Sequence, residues 1–183
     1  MLYPLLRPLF FALDPERAHR FALDALALLQ TLRLNSGHAF PQVKPLTDSR
    51  LAKDLWGLHF PNPVGLAAGY DKDARVPLVW SALGFGFAEL GTITARPQEG
   101  NPRPRVFRLE KDKALINRLG FNNKGAEAVA ARLSRLLPPS HPIPLGFNIG
   151  KSRAIPLDEA VADYEFSFTC LFPFADYLSL IHI

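Results

Sequence analysis

The sequence predicts an α/β fold in which short buried strands alternate with helices and build a parallel sheet. Of the 183 residues, 48% are hydrophobic and 21% are charged, a balance typical of one folded globular domain and not of a disordered chain. Strand-length apolar runs alternate with helical patterns of about ten or more residues, as in parallel sheets with crossover helices. Three predicted strands also end in glycine or small polar residues, where such sheets bind ligands.

The N-terminal 33 residues predict a short apolar helix followed by an amphipathic one. Asp14 and Pro15 form a typical helix start, an N-cap followed by proline at the first helical position. Packing against the domain is the ordinary interpretation of the apolar face of the second helix, and insertion into a membrane interface is the alternative. At about 100° per residue, the apolar face comprises Phe21, Ala22, Ala25, Leu28, Leu29 and Leu32, the charged face comprises Glu16, Arg17, Arg20 and Asp24, and His19 lies near the boundary.

After a linker over residues 34–53, the pattern changes to alternating strands and helices. Helical spacing of apolar residues predicts a helix over 124–137, which Pro138 and Pro139 end. A charged turn at 110–113 separates two strand-like segments that can form a hairpin. The predicted strands are 58–60, 62–69, 87–94, 144–150 and 176–180, the hairpin segments are 105–109 and 114–120, and a second helix covers 157–172.

The charge pattern narrows the choice of ligand. Residues 96–118 carry the whole formal net charge of +4. Such a patch suits an anionic small molecule, a phosphate-bearing cofactor or an anionic membrane surface, and a solvated charged loop is the plain alternative. Aromatic residues do not alternate with these basic ones in the manner of a single-strand groove, so no nucleic-acid partner is expected.

The three strand ends carry the first candidate ligand-binding groups. They are Ala67-Ala68-Gly69, Gly91-Thr92 and Asn148-Ile149-Gly150, and small residues there let a planar ring or a phosphate approach the backbone. Lys72 follows the first strand and is placed to reach a ligand carboxylate or an electron-rich ring atom. A surface lysine paired with Asp71 or Asp73 is the alternative.

Amide side chains form the second candidate group. Asn117, Asn122 and Asn123 surround a Gly-Phe turn, and amides can offer both donors and acceptors to an imide-like ligand. Capping of the helix that follows explains Asn122 or Asn123 equally well.

Seven motifs together identify a family resemblance. They are DPERAH (14–19), NPVGLAAGYDK (62–72), GTIT (91–94), RPQ (96–98), PRVFRL (104–109), INRLGFNN (116–123) and NIGK (148–151). In order and spacing they resemble the motifs of quinone-dependent (class 2) dihydroorotate dehydrogenases, over essentially residues 1–180. The N-terminal helices distinguish this class from the soluble, cysteine-dependent enzymes of the family.

The resemblance implies a TIM-type (β/α)8 barrel, of which this chain holds an N-terminal part of about four strands. It implies FMN at the carboxyl ends of the strands, oxidation of dihydroorotate to orotate in pyrimidine (UMP) biosynthesis, and a membrane quinone as electron acceptor. It also implies peripheral attachment to the cytoplasmic side of the inner membrane. The implied division is a helical membrane and quinone extension at 1–33, a linker at 34–53, a partial FMN-binding barrel at 54–180 and a divergent tail at 181–183.

The family's site residues transfer to matching positions of this sequence. The resemblance assigns FMN to Ala68, Gly69, Tyr70, Asp71, Lys72, Thr92 and Asn148. It assigns the substrate to Lys72, Asn117, Arg118, Leu119, Gly120 and Phe121. It assigns the quinone site to His19 and Arg108, and it implies no metal.

The family's catalytic base is a serine within an Asn-(Ile/Val)-Ser-Ser-Pro-Asn motif after the fourth strand. This sequence departs from that motif after Leu180, and Ile181 occupies the position of its first asparagine, so the serine is expected beyond Ile183. Cys170 in a predicted helix, Ser179 within a strand and His182 in the tail are not expected to replace it. The alternative prediction is therefore a truncated, non-catalytic fragment of the enzyme.

Overall fold

The computed structural model describes residues 3–36 and 48–182, which form two N-terminal helices, a four-stranded parallel sheet and two antiparallel hairpins. The helices are α1 (Tyr3–Ala12), α2 (Pro15–Ser36), α3 (Val79–Ala82), α4 (Ala126–Leu136) and α5 (Ala160–Leu171). The strands are β1 (Lys53–Leu55), β2 (Leu58–Phe60), β3 (Gly65–Leu66), β4 (Phe87–Ile93), β5 (Val106–Leu109), β6 (Ala114–Asn117), β7 (Leu145–Gly150) and β8 (Tyr177–Ile181). Residues 37–47 of the predicted linker and Ile183 of the predicted tail lie outside the described residues.

The parallel sheet has the order β3-β4-β7-β8. Helix α4 connects β4 to β7 and α5 connects β7 to β8, which is the arrangement of part of a (β/α)8 barrel, as predicted. The register pairs Gly91 with Asn148 and Asn148 with Ser179. The sheet therefore places these three residues in one row near its carboxyl edge.

Alternation along the strands separates the core from the opposite, inner face of the sheet. Leu90 and Phe147 are fully buried and belong to one apolar cluster with Val129 and Leu133 of α4. Because successive side chains of a strand point to opposite faces, Glu89 and its neighbours at alternate positions face away from that cluster. The inner face is polar. The row of Gly91, Asn148 and Ser179 lies on this face near the carboxyl edge, where ligands bind in such sheets.

The hairpin of β5 and β6 is confirmed, with Val106 opposite Asn117. A second hairpin, β1 and β2, was not predicted as a pair: Lys53 lies opposite Phe60. Its turn residues, Trp56 and Gly57, have φ angles of 55° and 78°, the left-handed pair that two-residue hairpin turns require. The Trp-Gly sequence lacks the usual Asn-Gly or Asp-Gly signal, so the pairing was missed.

Helix α2 begins as predicted but packs on the domain with a different face. The Asp14 carboxylate accepts hydrogen bonds from the backbone N–H groups of Glu16 and Arg17, both at 3.0 Å. Phe21, Leu28 and Leu32 are 57%, 61% and 58% exposed, so the packing interpretation of their face is wrong.

The face that packs on the domain contains Leu23, Leu26, Ala27 and Gln30, at the spacing of a helical stripe. Gln30 is 2% exposed; its amide donates to the Arg75 carbonyl and accepts from the Leu78 N–H, both at 3.2 Å. Because a polar residue stands in the buried stripe, the apolar pattern indicated the wrong face. No helix within residues 3–36 and 48–182 has the length and apolar character needed to cross a bilayer.

Candidate functional site

The strand ends converge on one surface, as the sequence predicts. The Gly69 N–H, just after β3, donates to the Gly91 carbonyl at 2.6 Å, and the Thr92 hydroxyl donates to Oδ1 of Asn148 at 2.5 Å. Gly91 has a φ of 120°, and a Cβ there would clash with the Asn148 carbonyl oxygen, so no other residue fits. A Cβ on Gly69 would meet no atom within 4 Å. The surface beside Gly69 is therefore open to a ligand.

Lys72 connects this surface to the segment that follows β6. Its ammonium group donates to Oδ1 of Asn122 at 2.8 Å, and this contact replaces the predicted alternative of pairing with Asp71 or Asp73. Burial, and then the nearby Arg105 guanidinium, lower the pKa of Lys72 to about 8. The side chain is therefore a cation near neutral pH but gives up its proton readily.

Asp71 organises the loop after β3 from inside the protein. Its carboxylate is fully buried and accepts from the backbone N–H groups of Arg75 at 2.7 Å and Val76 at 2.9 Å. Its own carbonyl accepts from the Gly91 N–H at 3.2 Å. Burial raises the pKa of this carboxyl group against those hydrogen bonds. The side chain positions Lys72 and leaves only backbone atoms of Asp71 for a ligand.

Asn117–Phe121 do not all reach the same surface. Asn117 and Arg118 are exposed on the hairpin, where the Arg118 guanidinium donates to the Pro104 carbonyl at 3.1 Å. Leu119, Gly120 and Phe121 are half-buried. Positive φ angles at Gly120 (72°) and Phe121 (51°) turn the chain back toward Lys72.

The two asparagines after Phe121 have different surroundings. Asn122 contacts Lys72, and this contact was absent from the predicted site. Asn123 is buried; its Oδ1 accepts from the Gly125 N–H at 2.8 Å, and its Nδ2 donates to the Thr94 hydroxyl at 2.9 Å. Asn123 therefore stabilises the turn that starts α4. The sequence alone does not decide whether Asn122 or Asn123 has this capping role.

A cleft of about 470 Å³ lies between α2 and the loops that follow the strands. His19 faces it from α2, and its Nε2 lies 2.8 Å from the Tyr70 carbonyl oxygen. Burial lowers the pKa of His19, against the opposing effect of that hydrogen bond. The imidazole is therefore neutral near pH 7, and its Nε2–H is the donor to that carbonyl. Residues lining the cleft include Glu16, His19, Tyr70, Lys72, Arg105 and Asn122.

One ion-pair cluster at the cleft was missed from sequence. The Glu16 carboxylate accepts from Arg105 at 2.6 and 3.0 Å and from Arg103 at 2.9 and 3.1 Å. The hydrogen bonds from Arg105 outweigh burial and lower the pKa of Glu16 to about 2. The basic patch at 96–118 was the available signal, but the acid that neutralises part of it lies in a helix near the N-terminus.

Arg108, the other predicted quinone-site residue, contacts α1. Its guanidinium donates to the carbonyls of Leu13 at 2.7 Å and Phe10 at 3.1 Å, and lies 4.8 Å from the centre of the Phe11 ring. These carbonyls lie at the C-terminal end of α1, where a helix lacks internal partners. Arg108 therefore attaches the end of α1 to the β5–β6 hairpin and is not among the residues lining the cleft with His19.

The other reactive side chains considered from sequence are engaged elsewhere. The Ser179 hydroxyl donates to Oε1 of Glu89 at 2.7 Å. Cys170 lies on α5 and packs against the core, where burial raises the pKa of its thiol. His182 is exposed beyond the end of β8.

Comparison with known proteins places these features in a family. The family model described as "Dihydroorotate dehydrogenase" matches residues 50–181. Proteins named dihydroorotate dehydrogenase (quinone) are similar over nearly the whole chain. One from Acidithiobacillus ferrooxidans is 52% identical over 98% of this chain and 49% of its own length, and one from Thermus thermophilus is 53% identical over 93% and 49%. The chain spans about half the length of the curated relatives it matches.

Solved structures support the same assignment. The crystal structure of the enzyme DHODH from Eimeria tenella in complex with ferulenol matches with a TM-score of 0.74 and 39% identity, over 91% of this chain and 43% of that one. The ligand-free form from the same organism matches with a TM-score of 0.75, 40% identity and coverage of 91% and 45%. The chain therefore belongs to the dihydroorotate dehydrogenase family.

Proposed function

We propose that these residues form the FMN-binding and substrate-binding part of a quinone-linked dihydroorotate dehydrogenase, which oxidises dihydroorotate to orotate in pyrimidine biosynthesis. The hydrogen bond between Lys72 and Asn122 is the observation that carries this proposal. It connects a cation after β3 to the turn after β6, beside the small-residue strand ends. A planar anionic substrate and a flat cofactor both find complementary groups there.

The groups at the strand ends fit FMN. Gly69, which follows Ala68, leaves room beside the backbone, and Thr92 with Asn148 places polar atoms at the neighbouring strand ends. When bound, FMN supplies the hydride acceptor for the oxidation. Lys72 holds a positive charge beside that position. Tyr70 and Asp71 complete the FMN set, the latter through its backbone.

The substrate position follows from charge and hydrogen-bonding capacity. Dihydroorotate carries a carboxylate and an imide-like ring, which need a cation together with paired donors and acceptors. Lys72 is one of several cations at the cleft, and the half-buried turn of Leu119, Gly120 and Phe121 leads to its partner Asn122. Asn117 and Arg118 complete the substrate set at the exposed end of this segment.

The proton removed along with the hydride requires a base. Within residues 3–36 and 48–182, neither Ser179 nor Cys170 is placed to serve, since the first donates to Glu89 and the second lies on α5. We therefore propose that a polypeptide limited to residues 1–183 binds ligands but does not turn over. In this proposal the base is the serine of the Asn-(Ile/Val)-Ser-Ser-Pro-Asn motif that the family carries after the fourth strand.

The N-terminal helices are proposed to carry the quinone site and the membrane contact. The exposed residues Phe21, Leu28 and Leu32 support a peripheral contact with the cytoplasmic side of the inner membrane. His19 faces the cleft from α2, and Arg108 holds the end of α1. The quinone is proposed to approach between these helices and the sheet.

Flavin fluorescence titration of the 183-residue polypeptide tests the FMN proposal. We expect saturable FMN binding. Lys72→Met and Thr92→Val should each weaken the affinity by about tenfold, which corresponds to the loss of one hydrogen bond. The control Lys113→Met, at an exposed hairpin turn, leaves the affinity unchanged. Absence of FMN binding, or equal losses in the control, contradicts the proposal. Quinone-linked dihydroorotate oxidation by this polypeptide contradicts the proposal that residues 1–183 alone do not turn over.

A further inference from the structure

A chain of hydrogen bonds crosses the inner face of the sheet and includes two residues without an assigned role, Glu89 and Ser179. The Ser179 hydroxyl donates to Oε1 of Glu89 at 2.7 Å and accepts from Nδ2 of Asn148 at 2.8 Å. Oδ1 of Asn148 accepts from the Thr92 hydroxyl at 2.5 Å. The chain thus runs from the middle of β4, through β8 and β7, to the strand ends proposed to bind FMN.

The carboxylate at one end determines the direction of every bond in this chain. The Ser179 hydroxyl donates to Oε1 of Glu89, and a carboxylate oxygen is an acceptor. The Ser179 oxygen is then the acceptor for Nδ2 of Asn148, and Oδ1 of that amide must face Thr92. The Thr92 hydroxyl consequently donates its one proton to Oδ1 of Asn148. Reversal of any one bond would place two donors or two acceptors against each other.

Tyr177 lies beside the Glu89 end of this chain of hydrogen bonds. Its ring covers Gly146, because a Cβ on Gly146 would clash with the Cζ atom of that ring. Gly146 is the residue between Glu89 and Tyr177 in the register of the three strands. Burial and the Glu89 carboxylate both raise the pKa of the Tyr177 hydroxyl. Tyr177 therefore stays protonated and adds no second negative charge beside Glu89.

We propose that Glu89, acting through Ser179, is a positioning residue that fixes the orientation of the Asn148 amide. At the strand ends the Thr92 oxygen is then one defined acceptor and the second N–H of Asn148 one defined donor, on side chains that are each 6% exposed. An adjacent donor and acceptor suit the imide-type edge of a planar heterocycle such as a flavin. The choice of ligand rests on the proposed function, whereas the orientation of the amide does not.

The orientation is tested by nuclear magnetic resonance on the 183-residue polypeptide labelled with ¹⁵N-asparagine, with the Asn148 signals identified by their loss in Asn148→Asp. The Nδ2 protons should show Overhauser contacts to the Ser179 β protons. In Glu89→Met the fixed acceptor is lost, and a second set of contacts to the Thr92 methyl group should appear as the amide flips. Ser179→Thr retains the hydroxyl and should keep the wild-type contacts. An unchanged pattern in Glu89→Met overturns the proposal.

Ser179→Ala decides the question if circular dichroism shows that Glu89→Met does not fold. It leaves the carboxylate in place but interrupts the chain, so the same flipped contacts are expected, and their absence overturns the proposal.

FMN titration provides the second measurement. Glu89→Met and Ser179→Ala should each weaken FMN binding by about tenfold, and the double variant should be no weaker than either single one, since one chain is broken in all three. Additive losses overturn the proposal. If the wild-type chain does not bind FMN, the proposed function fails, while the Overhauser contacts still decide the orientation of Asn148.

Discussion

The guanidinium of Arg105 donates two hydrogen bonds, of 2.6 and 3.0 Å, to the carboxylate of Glu16, a residue 89 positions earlier in the chain. The Arg105 side chain is only 6% exposed, and its remaining bonds go to the carbonyls of Glu99 and Asn101. The contact joins the helical extension to the domain at the edge of the cleft. Loss of Glu16 leaves the Arg105 guanidinium without its charge partner in a poorly solvated place.

We expect Glu16→Gln to destabilise the protein by about 2 kcal/mol. Arg105 keeps its charge but loses the carboxylate, and the amide NH₂ group cannot accept the bonds that one carboxylate oxygen accepted. The free energy of unfolding in urea measures this loss. Glu165→Gln on the exposed face of α5 is the matched control, with an expected change within about 0.5 kcal/mol. Equal stability of Glu16→Gln and the wild type would show that the cluster contributes nothing.

The stabilisation by Glu16 depends on pH in a defined direction. The pKa of Glu16 falls from 4.5 to about 2 on folding, so the carboxylate stabilises the folded state fully above pH 4.5. The contribution should decrease as the pH falls from there toward about 2. Thermal unfolding of wild type and Glu16→Gln across this range should show converging melting temperatures. A constant difference over the whole range contradicts the assigned pKa.

The Lys72 amine should be unusually reactive for a lysine. With a pKa of about 8, half of the side chains are neutral, and therefore nucleophilic, at that pH. Acylation of Lys72, followed by mass spectrometry of its peptide as a function of pH, should show a midpoint near 8, and FMN should protect the residue. A midpoint at the ordinary lysine value of about 10.4 would show that burial and Arg105 do not act on it.

Arg108→Met should loosen α1 without unfolding the domain. The guanidinium satisfies carbonyls at the end of α1, so its loss should speed amide hydrogen exchange in α1 by about tenfold, equivalent to about 1.4 kcal/mol. The control is Arg135→Met, at a side chain that donates to the Ala131 carbonyl within α4. Unchanged exchange in α1 contradicts the capping role.

Vesicle sedimentation tests the proposed membrane contact. Replacing both Leu28 and Leu32 with serine should release the protein from anionic phospholipid vesicles, because about 0.8 kcal/mol is lost for each CH₂ group no longer buried. Leu157→Ser is the matched control, since Leu157 is at least as exposed but lies away from the helices. Unchanged sedimentation of the double variant contradicts the proposal.

Local pattern was a sufficient guide to much of the fold. The β5–β6 hairpin, the helix ended by Pro138 and the N-cap at Asp14 all depend on neighbours in sequence, so periodicity and capping residues predict them. The face of α2 that packs on the domain was predicted wrongly. Burial of Gln30 depends on hydrogen bonds to two backbone groups of a distant loop. The hydrophobicity of the helix sequence cannot predict those bonds.

The sequence by itself determined the family resemblance, the alternation of strands and helices, and the small residues at the strand ends, because each is written in short segments. Only the tertiary structure decided which residues from distant parts of the sequence contact each other. It joined Lys72 to Asn122, Glu16 to Arg105 and Glu89 through Ser179 to Asn148, contacts that span from 31 to 90 positions. Strand register and helix docking bring such pairs together, and both are properties of the whole folded chain.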